Sequence, residues 1–160
     1  MNVYSEEGKG TKFKVYFPAQ TSESLLEKAP VTQAGLPRGD GELILLVDDE
    51  EGIRQIAMKT LVRFGYRVME AENGAEGVLL YVQNQKEVAL VLTDVSMPIM
   101  DGAALIAALK SLNPEVRILV SSGLPTNSGV AKAMESGARF ISKPYTAETL
   151  LRTIYKELHS

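Results

Sequence analysis

The sequence predicts an α/β protein with a doubly wound, five-stranded parallel sheet and helices on both faces. From residue 42 onward, short apolar runs alternate with amphipathic stretches five times within about 120 residues. The runs at 43–47 and 88–93 are almost continuously apolar, as expected of strands buried on both faces of a sheet. Glycine, proline or asparagine separates the segments. Such alternation is typical of β–α units joined by right-handed crossovers.

Each element follows from a local pattern. The predicted strands are 43–47, 66–71, 88–93, 116–121 and 139–142. The predicted helices lie near 53–64, 73–83, 101–112, 128–136 and 146–158. Asn73 and Thr146 are candidate N-caps, and Gly65 and Gly137 are expected to end helices. The first helix has core candidates at 3/4 spacing, namely Ile53, Ile56, Ala57, Thr60, Leu61 and Phe64.

Two segments precede this pattern. Residues 1–20 hold an alternating run at 12–17, which predicts one strand after a glycine-containing turn at 8–10. Residues 21–41 mix Ser, Glu, Lys, Pro and Gly and are interpreted as a linker. The β–α pattern then occupies residues 42–160. A segment as short as 1–20 cannot bury a core of its own.

Composition excludes several classes of function. A formal net charge of -3 offers no basic field for nucleic acid. The absence of cysteine excludes disulfides, thiolate catalysis and cysteine-ligated zinc. No apolar run approaches the roughly 20 residues that span a bilayer, and the polar N-terminus shows no signal peptide. We therefore expect a cytoplasmic segment without direct membrane contact, compatible with a membrane-anchored parent protein.

Polar residues stand where four of the predicted strands end. In chain order they are Asp48 and Asp49, Asp94, Ser121 and Ser122, and Lys143. The carboxyl ends of parallel strands share one edge of the sheet, and ligands bind there at the point where the strand order reverses. Three carboxylates, a hydroxyl and an ammonium are therefore expected to converge.

This set of groups predicts phosphoryl chemistry. Carboxylates brought together repel one another, and Mg²⁺ suits an all-oxygen site that keeps room for water and phosphate. With a metal present, a carboxylate can attack phosphorus and form an aspartyl phosphate. Phosphoryl transfer requires mainly positioning and neutralisation of charge, which the metal, Lys143 and the Ser122 hydroxyl would supply.

Four stretches of the chain resemble the motifs of response-regulator receiver domains and occur in that family's order. They are LVDDE at 46–50, LTDVSMPIMDG at 92–102, VSSG at 120–123 and FISKP at 140–144. Together they are highly specific, and the resemblance covers residues 42–159. It implies the flavodoxin-like strand order 2-1-3-4-5.

The resemblance also implies roles for individual residues. Asp94 would be the phosphoacceptor. Asp49 and Asp94 would ligate Mg²⁺ directly, Asp48 largely through water, and the backbone carbonyl of Ser96 would be a further ligand.

The remaining roles concern the phosphorylated state. Ser122 corresponds to the family's Thr/Ser switch, Lys143 to its phosphate-binding lysine and Phe140 to its aromatic switch residue. The side chains of Ser96 and Leu124 would flank the water that hydrolyses the phosphate, and Leu124 is expected to exclude that water rather than orient it.

The first segment resembles a different family. Residues 4–13 resemble the last glycine-rich turn and final strand of a histidine-kinase ATP-binding domain, with Glu7 where proline is common. This implies the C-terminal piece of a hybrid histidine kinase. The parts that bind ATP and carry the phosphohistidine are absent from this chain, so we expect no kinase activity. The implied partners are a histidine-kinase phosphodonor domain and a histidine phosphotransfer protein.

Other interpretations compete with this one. A haloacid-dehalogenase-type phosphatase would have Asp-x-Asp at its first strand, whereas here Asp94-Val95-Ser96 follows the third. A phosphorylation-independent receiver-like scaffold stays open. Dinucleotide binding is disfavoured because the first strand leads into acidic residues rather than a glycine-rich loop. Asp48 and Asp49 could also simply favour a helix N-terminus.

Overall fold

The computed structural model divides the chain into two units, Met1–Gly35 and Leu36–Ser160. It describes residues 2–6, 8, 10–14, 35–123 and 128–160. Within these ranges no helix is long and apolar enough to cross a membrane.

The first unit contains an antiparallel hairpin. Strand β1 spans Asn2–Glu6 and strand β2 spans Gly10–Lys14, with Glu6 opposite Gly10. Gly8 and Gly10 have positive φ angles of 78° and 95°, which a tight turn requires and glycine adopts without steric cost. The prediction of a single strand, at 12–17, was therefore wrong, because the described part of this segment has two strands. Pairing with β2, rather than apolar alternation, defines β1. Residues 15–17 of the predicted strand lie outside the described ranges.

The second unit is the predicted α/β fold. Its strands are β3 (Leu43–Val47), β4 (Arg67–Ala71), β5 (Val88–Asp94), β6 (Ile118–Ser122) and β7 (Arg139–Ser142). Its helices are α1 (Glu51–Arg63), α2 (Gly74–Asn84), α3 (Gly102–Leu112), α4 (Ser128–Glu135) and α5 (Ala147–Leu158). All strand pairs are parallel, in the order β4-β3-β5-β6-β7. Counted within this sheet, the order is 2-1-3-4-5, which confirms the expectation.

The sheet separates two apolar layers. Leu45 and Val47 of β3 belong to one buried cluster, together with Leu105 of α3. Ile44 and Leu46, the alternate residues of the same strand, belong to the other, together with residues of α1 and α5. This alternation follows from the two-residue period of a strand and confirms that helices cover both faces.

The predicted helix ends are confirmed at four positions. The side chain of Asn73 accepts a hydrogen bond from the Glu76 N–H, and that of Thr146 accepts one from the Thr149 N–H. Gly65 and Gly137, which follow α1 and α4, have φ angles of 93° and 80°.

The buried face of α1 differs from the prediction. Its buried residues are Arg54, Ala57 and Leu61, whereas Ile56 is 71% exposed. The 3.6-residue period that places Ala57 and Leu61 inward also places Arg54 inward, one turn earlier. The expectation that Ile56 belongs to the core was therefore wrong.

The second unit begins inside the predicted linker. The Gly39 N–H donates to the Phe64 carbonyl at 2.9 Å, and the Gly41 N–H donates to the Gly65 carbonyl at 3.0 Å. Leu36 also packs against the cluster formed with α1 and α5. These contacts join the residues just before β3 to the end of α1. The roles predicted for residues 1–20, 21–41 and 42–160 stay predictions.

Tyr66, next to this contact, gives a test of stability against pH. Its hydroxyl is buried and, among the described residues, has no hydrogen-bond partner. Burial, followed by the nearby charge of Glu42, raises its pKa from 10.0 to about 12. The folded state therefore retains this proton while the unfolded state loses it, so stability falls as pH rises from about 10 to 12. Below pH 10 the group contributes no pH dependence.

We expect Tyr66→Phe to be neutral or stabilising by up to about 1 kcal/mol at pH 7, because it removes an unpaired buried hydroxyl. The variant should also lose less stability than the wild type between pH 10 and 12. Urea unfolding at pH 7, 10 and 11.5 measures both effects, with Tyr4→Phe, at an exposed position, as the control. A marked loss of stability at pH 7 would show that the hydroxyl has a partner.

Candidate functional site

Three of the predicted site residues meet at the carboxyl edge of the sheet. Asp48 follows β3, Asp94 ends β5, and Lys143 follows β7. The Lys143 Nζ lies 2.8 Å from Asp48 Oδ2 and 3.1 Å from Asp94 Oδ1. One ammonium thus bridges carboxylates from the two neighbouring central strands.

The bridge lies largely out of solvent. Asp48 is 2% exposed and Asp94 is 9% exposed, and buried charges are costly unless they are paired. Burial by itself lowers the pKa of Lys143, but the hydrogen bond and charge of Asp48, joined by Asp94, outweigh it and raise that pKa above its usual value. Lys143 is therefore a cation throughout the physiological range.

Backbone donors hold the remaining carboxylate oxygens. The Glu50 N–H donates to Asp48 Oδ1 at 3.0 Å. The Ser96 N–H donates to Asp94 Oδ2 at 3.1 Å. Each carboxylate therefore has one oxygen on Lys143 and the other on the loop that follows its own strand. This arrangement fixes the orientation of both groups.

The loop after Asp94 returns closely along the strand end. Asp101 caps α3 by accepting from the Ala104 N–H at 2.8 Å, and the Gly102 N–H donates to the Val95 carbonyl at 3.0 Å. A Cβ at Gly102 would fall on the Asp94 carbonyl oxygen, well inside van der Waals contact. The Asp-Gly pair thus has a structural reason: the first residue starts the helix, and the second lets it approach the candidate phosphoacceptor.

One residue of this loop has a strained backbone. Ile99 has a φ angle of 67° and is 86% exposed. A β-branched residue in this region is an outlier that costs of order 1 kcal/mol or more. Neither the strain nor the exposure of this side chain follows from local sequence pattern, so the sequence did not identify it.

Ser122 and Phe140 lie in β6 and β7, the two strands on the Lys143 side of the sheet. Ser122 is buried at the end of β6, and its carbonyl accepts the Lys143 N–H at 2.8 Å. Phe140 in β7 is half-buried against the cluster on the α3 side and lines a groove of about 500 Å³ with Met134 and Arg152. Residues 124–127, including Leu124, lie outside the described ranges. The predicted switch roles stay predictions.

Asp49 differs from its neighbour Asp48, because it is exposed. Among the residues that the structure describes, no three acidic, histidine or cysteine side chains group closely enough to hold an ion. The predicted ligand set of Asp48, Asp49, Asp94 and the Ser96 carbonyl therefore stays a prediction.

The donor chemistry nevertheless fits Mg²⁺. Asp48 and Asp94 direct oxygens at one common point, which the Lys143 ammonium now contacts. One ammonium faces two buried carboxylates, with Asp49 adjacent at the surface, so the site can accept further positive charge. An all-oxygen set of this kind is what Mg²⁺ prefers.

A groove of about 600 Å³ opens beside the bridge. Lys143, Tyr145 and Gly123 line one part of it, and Ile53 and Ile56 of α1 line another. Burial, more than the nearby charges, raises the pKa of Tyr145 above its usual value. The exposed Ile56 is thus part of the surface around the candidate site.

Sequence interpretation missed one buried charge near the bridge. Arg54 of α1 is 6% exposed and donates through Nη1 to the Asp48 carbonyl at 2.6 Å. The sequence did contain a signal for this buried charge, because Arg54 shares the helical period of Ala57 and Leu61. A charged residue on that buried face must find polar partners inside.

Comparison with known proteins shows that most of this chain matches one protein family. The family model for the response regulator receiver domain matches residues 44–155. Chemotaxis protein CheY of Bacillus subtilis (strain 168) is 37% identical over 118 residues, which cover 72% of this chain and 97% of that protein.

Two further similarities differ in extent. Sensor kinase CckA of Brucella abortus (strain 2308) is 31% identical over 162 residues, which cover 96% of this chain but only 17% of that kinase. A receiver domain protein from Clostridium thermocellum, of known crystal structure, matches with a TM-score of 0.69 and 28% identity, covering 73% of this chain and 94% of that one.

Proposed function

Since this chain belongs to the response regulator receiver family, we propose that it accepts a phosphoryl group on Asp94 in a Mg²⁺-dependent reaction and responds with a conformational switch. The observation that carries the proposal is the contact of Lys143 Nζ with both Asp48 and Asp94 at the carboxyl edge of the sheet. A carboxylate that is buried, oriented and paired with a cation is prepared for nucleophilic attack at one defined place.

The transfer step uses the carboxylate of Asp94. One carboxylate oxygen attacks phosphorus and forms a P–O bond, while the P–N bond to the donor imidazole breaks and its electron pair returns to nitrogen. The Lys143 ammonium already contacts Asp94, so it can neutralise charge on the phosphoryl oxygens as the bond forms. The Ser96 N–H holds the second carboxylate oxygen and preserves its direction.

Mg²⁺ would be held by Asp48, Asp49, Asp94 and the backbone carbonyl of Ser96. When bound, it neutralises negative charge shared by the carboxylates and the phosphoryl group. Asp48 and Asp94 are also the partners of Lys143, so the ammonium maintains the pocket when no other cation is there.

The switch would use Ser122 and Phe140. The Ser122 carbonyl is bonded to the Lys143 N–H, so a pull of the Ser122 hydroxyl toward the phosphoryl oxygens acts at the join between β6 and β7. Val120 of β6 pairs with Phe140 of β7, and a shift of β6 therefore reaches the half-buried aromatic ring. Two arrangements of the α4, β7 and α5 surface would follow.

The phosphodonor is proposed to be a histidine-kinase domain, with a histidine phosphotransfer protein as a further partner. The alignment with the Brucella sensor kinase runs through the residues before the receiver domain as well as through the domain itself. This extent supports the C-terminal piece of a hybrid histidine kinase as the context. The domain would catalyse its own phosphorylation and dephosphorylation but would not act as a kinase by itself.

The test is an intact-mass measurement after incubation with Mg²⁺ and acetyl phosphate. We expect one added phosphoryl group in the wild type, and none without Mg²⁺ or in Asp94→Asn. Asparagine preserves the shape of the side chain but removes the nucleophilic carboxylate, so it is a matched control.

The absence of an adduct would leave two explanations that a second measurement separates. A beryllofluoride complex seen by fluorine NMR in the wild type, but not in Asp94→Asn, would indicate hydrolysis too fast to trap. Absence of that complex would overturn the proposal in favour of the phosphorylation-independent scaffold.

A further inference from the structure

Arg54 is a buried cation that the proposed transfer step does not use. Its Nη1 donates to the backbone carbonyl of Asp48 at 2.6 Å. Its Nη2 donates to Glu72 Oε1 at 3.3 Å, and its Nε lies 3.5 Å from Glu70 Oε1. A guanidinium out of solvent needs such partners, and its planar fork can serve several of them at once.

The contact with Asp48 is to the main chain. The Asp48 carbonyl and the Asp49 nitrogen belong to one planar peptide unit, so a donor held on that carbonyl sets the plane from which Asp49 continues. The Asp48 N–H is held as well, by the Ala71 carbonyl at 3.1 Å. The peptide group before Asp48 is therefore held by β4, and the peptide group after it is held by α1.

The two glutamates show where Arg54 is anchored. Glu70 lies in β4, and Glu72 follows that strand. Glu70 also accepts from the Gln55 side-chain amide at 3.4 Å, and the Glu72 N–H donates to Glu76 Oε2 at 2.8 Å at the start of α2. The guanidinium thus joins the end of the edge strand to the end of β3. The two glutamates alone would balance the charge of Arg54, yet the shortest hydrogen bond of Arg54 goes to the backbone carbonyl of Asp48.

We infer that Arg54 is a positioning residue for the acidic pair, holding the Asp48–Asp49 peptide so that both carboxylates are oriented for a divalent cation. This inference rests on the proposed function. Arg54 contacts neither the Asp94 carboxylate nor, by this assignment, the phosphoryl group. Its loss should therefore weaken cation binding more than it slows transfer once the cation is bound.

The experiment measures Mg²⁺ binding to unphosphorylated protein by isothermal titration calorimetry. We expect the dissociation constant for Mg²⁺ to rise about 10-fold or more in Arg54→Met, since residues that orient metal ligands typically contribute 10- to 100-fold in affinity. Arg54→Lys should recover part of this loss. Arg152→Met, which removes an exposed arginine paired with Glu148, should bind Mg²⁺ as the wild type does.

Two further measurements separate positioning from general stability. With acetyl phosphate, the phosphorylation rate of Arg54→Met at saturating Mg²⁺ should stay within about 3-fold of the wild type, while the Mg²⁺ concentration for half-maximal rate rises. Without Mg²⁺, amide hydrogen exchange at Asp49 and Glu50 should accelerate in this variant more than exchange in the core of β5.

The outcomes distinguish the inference from the proposed function. If the wild type binds no Mg²⁺, the proposed function fails and the inference fails with it. If the wild type binds Mg²⁺ and folded Arg54→Met binds it equally well, the inference alone is overturned. If Arg54→Met does not fold, Arg54→Lys decides, because weaker Mg²⁺ binding than in the wild type supports the inference and unchanged binding rejects it.

Discussion

Replacing Lys143 with methionine is expected to destabilise the metal-free protein by about 3–5 kcal/mol, the usual consequence of removing one partner of a buried ion pair. The side chains of Asp48 and Asp94 are 3% and 12% exposed, so water cannot replace the ammonium well. Methionine preserves the length and packing of the side chain, which confines the change to the lost charge. Urea unfolding at pH 7 without divalent cations measures it.

The same variant should lose phosphorylation by acetyl phosphate by about 100-fold or more at saturating Mg²⁺, since preorganised charges at the transferred group typically contribute this much. Lys86→Met, at an exposed position, is the control for loss of a lysine charge. Wild-type stability and rate in Lys143→Met would contradict the assignment of this lysine to the pocket.

Gly102→Ala is expected to cost about 3 kcal/mol or more, at the upper end of overpacking effects, because the obstacle is backbone rather than a flexible side chain. The added methyl group would meet the Asp94 carbonyl oxygen and Val95 Cα. Relief of this overlap requires α3 to move away from the end of β5. Asp94 should therefore also lose its orientation and accept a phosphoryl group more slowly.

Gly52→Ala provides the matched comparison. Gly52 is also helical, in α1, and a Cβ there meets nothing within 4 Å. This substitution should be neutral or stabilise the protein by up to about 1 kcal/mol, the gain for glycine to alanine in a helix interior, since Gly52 is the second residue of α1. Urea unfolding of both variants gives the sign of each change, and equal effects would mean that the close approach at Gly102 does not hold in solution.

The site was predictable because its chemistry stands at strand ends. Asp48, Asp94 and Lys143 are separated widely in sequence, yet a parallel sheet places the end of every strand on one edge. Once the β–α alternation was established, the meeting of these three side chains followed without knowledge of packing. The structure supplied the distances and showed that the ammonium contacts both carboxylates.

The orientation of individual side chains was less predictable. Apolar spacing in α1 suggested that Ile56 faces the core, but the helix turns Arg54 inward and leaves Ile56 on the surface. An arginine is rarely buried, so propensity alone argues against that rotation. Acceptors at Asp48, Glu70 and Glu72 make the inward position of Arg54 favourable. These acceptors lie at the ends of β3 and β4, which only the folded sheet brings together.

The sequence by itself determined the fold class, the strand order through resemblance, and the residue types at the carboxyl edge, because hydrophobic periodicity and β–α alternation are local properties. The tertiary structure decided the pairing of β1 with β2, the inward position of Arg54, and the exposure of Asp49 beside the buried Asp48. These features depend on hydrogen-bond partners and steric limits that distant segments provide. Local pattern therefore predicts which groups reach the site, and packing decides how each of them is held.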